Sequence, residues 1–92
     1  MATYVMFGKY SHEGVKGISA ARTEKAAALI KTNGGELKSV YALLGEPDLV
    51  VIVELPDTAR AMQTAIALTK LLGVSFTTAP ALSGQEFDKL IG

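Results

Sequence analysis

The stretch Leu44-Gly45-Glu46-Pro47-Asp48-Leu49-Val50-Val51-Ile52-Val53-Glu54-Leu55-Pro56 decides the fold. Its first part is a turn, because Pro47 pre-sets φ and offers no amide donor, while Gly45 and Asp48 suit tight backbone. Leu49 to Val53 then runs five apolar residues without alternation. A strand half-exposed to water alternates, so this one expects cover on both faces. Pro56 stops it.

Upstream, Thr3 to Tyr10 is rich in β-branched and aromatic residues and reads as a strand. Ser11 to Gly17 is polar, carries two glycines and reads as a loop. From Ser19 to Asn33 an alanine-rich helix is expected. Ser19 would cap it, Ala26, Leu29 and Ile30 form its apolar stripe, and Asn33-Gly34-Gly35 closes it. Arg22, Glu24, Lys25 and Lys31 fall on its other faces. Glu36 to Leu44 is the second strand, with Glu36, Lys38 and Val40 alternating onto one face.

Downstream, Asp57 caps a second helix over Thr58 to Leu72, with Met62, Ala65, Ile66, Thr69 and Leu72 expected inside and Thr64 outside. Gly73 ends it. Val74 to Leu82 is the fourth strand, and Pro80 marks an edge position or a strand end. Ser83-Gly84-Gln85-Glu86 has the form of a capping box ahead of a short helix carrying Phe87, Leu90 and Ile91. The order β-α-β-β-α-β is the split βαβ, ferredoxin-like arrangement: an α+β antiparallel sheet with two helices on one face and a short C-terminal helix. The sheet's second face then needs a cover that the short last helix cannot supply. A second copy of the chain is expected there, as a homodimer or higher oligomer.

Composition narrows the function classes. The 92 residues carry no cysteine, which removes disulfides and thiolate metal sites, and the one histidine cannot build a metal site alone. Nine basic residues balance nine acidic ones, so no electrostatic footprint for nucleic acid is expected. No stretch reaches the roughly 18 uninterrupted apolar residues of a membrane span, and the N-terminus does not read as a signal peptide. The expectation is one soluble, cytoplasmic domain over residues 1–92 with no metal, cofactor or membrane partner.

Several segments together resemble the GYD domain family. They are Thr3-Tyr4-Val5 opening the first strand, Gly14-Val15-Lys16-Gly17-Ile18 before the first long helix, and Gly34-Gly35-Glu36-Leu37-Lys38 entering the second strand. Leu44-Gly45-Glu46-Pro47-Asp48-Leu49-Val50 at the hairpin, and Glu86-Phe87 after the Thr77-Thr78 strand, belong to the same pattern. The resemblance implies a ferredoxin-like fold of the dimeric α+β barrel kind and no defined reaction. The naming Gly-Tyr-Asp motif is altered here: Glu46-Pro47 stands between Gly45 and Asp48, so a role for its tyrosine does not carry over.

Few residues point to chemistry. His12, beside Glu13, is of the residue type best suited to proton transfer near neutral pH, against the simpler reading of an exposed loop histidine. Tyr4, Gly8 and Tyr10 share one strand face with Met6, where Gly8 would floor a gap rimmed by phenols. With Tyr41 these are the candidate ligand-binding residues for a small organic molecule; packing at a subunit interface is the plainer alternative. Asp48 and Asp57 read as turn and cap residues. Three functions remain open. The leading one is a small-ligand-binding or accessory domain. The second is a cofactor-independent enzyme, monooxygenase- or isomerase-like, acting on an aromatic or enolisable metabolite through His12 with Tyr10 or Tyr41. The third is an assembly module.

Overall fold

The computed structural model describes residues 1–92. Strand β1 (Ala2–Tyr10) is followed by a short helix α1 (His12–Lys16) and helix α2 (Ala20–Thr32). Strands β2 (Glu36–Ala42) and β3 (Leu49–Leu55), helix α3 (Thr58–Leu72), strand β4 (Val74–Ala81) and helix α4 (Gly84–Ile91) complete the chain. The sheet order is β2-β3-β1-β4, antiparallel throughout, which is the ferredoxin-like topology. Edge strand β4 carries Pro80 opposite Tyr4, where a missing amide is tolerated.

Register sorts the side chains into two faces. Tyr4, Met6 and Gly8 stand opposite Val53, Val51 and Leu49, and β4 adds Val74 opposite Tyr10 and Phe76 opposite Gly8. This face lies under α2 and α3 and holds the core: Met6, Val53, Leu55 and Val74 are fully buried with Ile30 and Leu68 from the helices. The helix starts follow from local chemistry. Ser19 Oγ accepts from the Arg22 amide at 3.1 Å and Asp57 Oδ1 from the Arg60 amide at 2.8 Å, each satisfying a donor with no intrahelical partner. Gly34 (φ 81°) and Gly73 (φ 68°) take the left-handed backbone that follows α2 and α3.

Three local expectations are corrected. Residues 12–16 are helical rather than loop, because Ser11 Oγ accepts from the Gly14 amide at 2.9 Å and starts a turn. Helix α1 is seated by the Ser11 amide, which donates to the Gly73 carbonyl at 2.8 Å. Gly14 then lies backbone to backbone with Gly73, where a Cβ would strike the Gly73 carbonyl.

Helix α3 turns a different face inward. Ala61, Thr64 and Leu68 are buried, whereas Met62, Ile66 and Thr69 are exposed. Thr64 can lie on this face because its Oγ1 is satisfied by donating to the Arg60 carbonyl at 2.7 Å. In β2 an irregularity between Leu37 and Ser39 inserts Lys38 as an unpaired residue. Val40 is thereby shifted to the helix-covered face, opposite Val51, and away from the face of Glu36.

Candidate functional site

The helix-covered face is not filled evenly. Between α2 and the sheet lies a hollow of about 80 Å³ walled by Ala26, Ile30, Val40, Val51, Leu68, Leu72 and Phe76, among others. Its polar lining is confined to Tyr10, Ser19, Arg22 and Thr23. No carboxylate borders it.

Each mouth residue has a local cause. Tyr10 ends β1, and its amide donates to Asp48 Oδ2 at 2.9 Å. Asp48 also donates its own amide to the Gly8 carbonyl at 2.9 Å. The turn aspartate therefore stitches the β2–β3 hairpin to β1 beyond the Gly8–Leu49 pair, a role wider than the turn chemistry expected of it. Arg22 sits in the first turn of α2, half-buried, with its guanidinium carbon 6.0 Å from the centroid of the Tyr10 ring. That is the outer range of a cation–π contact. Gly17 makes room for it: a Cβ there would lie 2.5 Å from Arg22 Nη1. The ion pairs of the molecule join Lys9 to Glu46, Lys16 to Glu13 and Lys38 to Glu36, and none engages Arg22. Ser19 and Thr23 are already bonded within the α2 cap. The free polar groups at the mouth are the Arg22 guanidinium and the Tyr10 hydroxyl.

A second, more open groove of about 280 Å³ runs between α3 and β4. Tyr4, Thr58, Met62, Ile66, Thr78 and Pro80 line it. Tyr4 Oη lies 3.4 Å from Thr58 Oγ1, and the buried Thr78 Oγ1 has no hydrogen-bond partner.

The residues singled out from sequence are thus dispersed. Tyr4, Gly8 and Tyr10 do share a face, but that face packs under the chain's own helices. Gly8 floors no gap, because Leu49 Cδ2 and Val74 Cγ1 come within 2.8 Å and Phe76 Cε1 within 3.0 Å of the Cβ position it lacks. Phe76 occupies that space and walls both hollows, leaving Tyr10 to one and Tyr4 to the other. Tyr41, opposite Val50, lies on the other side of the sheet and is 58% exposed. His12 is exposed at the start of α1 and lines neither hollow. No group of three or more His, Cys, Asp or Glu residues gathers to hold a metal. Arg22 was placed on an outer helix face by periodicity. Only the Ser19 cap, which puts it in the turn facing Gly17, hinted at a special position.

The sheet's second face is uncovered in the single chain. Val5 pairs with Ile52 and Ala79, and Val50 lies between Phe7 and Tyr41, forming an apolar centre. Glu36 and Glu54 stand at one end and Lys9 at the other. Helix α4 projects beyond β4 with every residue exposed, including Phe87, Leu90 and Ile91. No helix is long and apolar enough to cross a membrane.

Comparison with solved structures gives a match to the crystal structure of the leucine response regulatory protein (LrpA) of Mycobacterium tuberculosis. The TM-score is 0.59 at 13% identity, over 89% of this chain and 51% of that one. The present chain therefore spans about half the length of that structure, and the likeness is one of fold. No curated protein matches the sequence. The GYD domain model matches residues 4–91. With that span covering nearly all of the chain, the protein belongs to the GYD domain family.

Proposed function

We propose that this GYD domain binds a small organic molecule in the hollow beneath α2 and works as paired copies packed sheet to sheet. The observation that carries the binding reading is an apolar hollow whose only unengaged polar groups, Arg22 and Tyr10, meet at its mouth. Sites for small ligands have this character: mostly apolar walls with a few converging polar groups. His12, the residue a catalytic reading would use, does not line the hollow. Pairing is supported by the apolar centre of the open sheet face, where water would otherwise cover Phe7, Val50, Ile52 and Tyr41.

Two measurements test the parts separately. Protein-observed ¹⁵N NMR with uncharged and charged fragments of three to six heavy atoms should yield binders that shift the amides of Ile18, Ala26 and Val40. A screen with no binder at these positions refutes the binding reading. Sedimentation velocity at micromolar concentration should give a dimer for the wild type and a monomer for Phe7→Asp. A monomeric wild type refutes the pairing.

A further inference from the structure

We infer that the ligand of the hollow is a small carboxylate with a short hydrocarbon tail, held at its head by Arg22. The inference rests on the binding reading above and adds the chemical class.

Charge comes first. The mouth offers one guanidinium with no carboxylate partner in the protein, and a half-buried cation over an aromatic ring has lost part of its hydration without gaining a counter-ion. An anionic ligand supplies that counter-ion, and the planar guanidinium suits the two oxygens of a carboxylate. Tyr10 lines the same hollow, and its hydroxyl makes no hydrogen bond within the protein, so a neutral donor is also available there. An amine would meet only the like charge of Arg22. A zwitterionic amino acid would bring an ammonium group to a site bordered by no Asp or Glu. A phosphate monoester carries close to two negative charges at neutral pH, of which one guanidinium neutralises only one.

Size comes second. At about 80 Å³ the hollow is roughly half the volume of a dry cavity that holds benzene. It therefore encloses about three or four carbon atoms, and an aromatic ring would stay partly outside it. The walls beyond the mouth, Ala26, Ile30, Val51, Leu68 and Phe76, offer no side-chain hydrogen-bonding group. The tail is accordingly hydrocarbon and the oxygens stay at the rim.

Gly17 completes the arrangement. A Cβ at position 17 would lie 2.5 Å from Arg22 Nη1, the flexible end of that side chain, so the glycine leaves room for the guanidinium where it now lies.

The test is a ¹⁵N NMR titration of the full chain with butyrate and with butyramide, its uncharged counterpart of nearly the same shape. Butyrate should shift the amides around Ile18, Ala26 and Val40 at millimolar concentration and bind about tenfold more tightly than butyramide. Arg22→Gln should bring the ratio of butyrate to butyramide affinity down to about one, because only the carboxylate loses a charge partner. Arg22→Lys should retain part of the difference. Both variants lie on a helix surface and are checked for folding by the dispersion of the same spectra. Equal binding of the two compounds by the wild type, or a preference for butyrate that survives Arg22→Gln, overturns the carboxylate inference and leaves the binding reading standing. Failure of both compounds and of every neutral fragment to shift these amides overturns the binding reading, and this inference with it.

Discussion

Replacing Ala26 by valine adds two carbon atoms to a side chain that is 9% exposed and forms part of the wall beneath α2. If that space is empty in the ligand-free protein, each added carbon is buried at about 0.8 kcal/mol, or about 1.6 kcal/mol for both. Valine is a poorer helix former than alanine by roughly 0.6 kcal/mol. The net expectation is a stabilisation of about 1 kcal/mol. Unfolding entropy near 2.1 cal/mol/K per residue, over 92 residues, comes to about 0.19 kcal/mol/K, so Tm should rise by about 5 °C. Differential scanning calorimetry at one fixed protein concentration measures this, since self-association would make Tm depend on concentration. The same variant should lose butyrate binding, because the tail's space is gone. A gain in stability with a loss of binding is the pattern expected where a fold keeps a void for a ligand. A fall in Tm of several degrees would refute the reasoning: it would mean that side chains already fill the space and that valine overpacks it.

Asp48→Ala should cost about 1.5–2 kcal/mol, since the Tyr10 amide loses a charged acceptor; chemical denaturation measures the loss, and Asp48→Asn should restore part of it. Gly14→Ala should be destabilising by about 2 kcal/mol or more, because the new methyl meets the Gly73 carbonyl rather than a yielding side chain; a thermal melt within error of the wild type would show that α1 is not seated there. The Lys9 ammonium titrates above its ordinary value near 10.5, through its hydrogen bond to Glu46 and then the charge of Glu46. A raised folded-state pKa adds stability that is complete below the unfolded pKa and disappears as pH climbs through the folded one, so the pair matters only at strongly alkaline pH. Both side chains are largely exposed, so the contribution is small. In an NMR titration Glu46→Gln should bring the Lys9 midpoint back down, and an unmoved midpoint would assign the shift to another cause.

What was legible in the chain was what local chemistry dictates. Ser19, Asp57 and Ser83 were readable as caps because a hydroxyl or carboxylate three residues before a free amide has one good use. The Leu49–Leu55 strand, the edge position of Pro80 and the glycine endings of α2 and α3 were readable for the same reason. Harder features depend on distant partners. Met62 and Ile66 look like core residues on a helical wheel, yet α3 is rotated so that Ala61, Thr64 and Leu68 face inward and those two face out. The irregularity at Lys38 that sends Val40 to the hollow leaves no mark in the β2 composition. Arg22 acquires its place from Gly17 and Tyr10, five and twelve positions away in sequence, and periodicity alone assigned it to solvent. His12 drew notice by its chemistry, although its position at the start of α1 brings no second polar group beside it in either hollow.

The end of the chain has a different physical character from the rest. Helix α4 is held by reciprocal bonds at its start, Ser83 Oγ accepting from the Glu86 amide at 3.1 Å and Glu86 Oε1 accepting from the Ser83 amide at 3.2 Å. An eight-residue helix is well below the roughly 12–15 residues at which isolated helices begin to persist in water. Without burial of Phe87, Leu90 and Ile91, the helical and frayed forms of this segment lie close in free energy, while the sheet opens only with the whole domain. Amide hydrogens of α4 will therefore exchange with solvent long before those of β1 and β3. Their exchange rate then serves as an internal gauge: any apolar surface that covers Leu90 and Ile91 will slow it, whatever that surface belongs to.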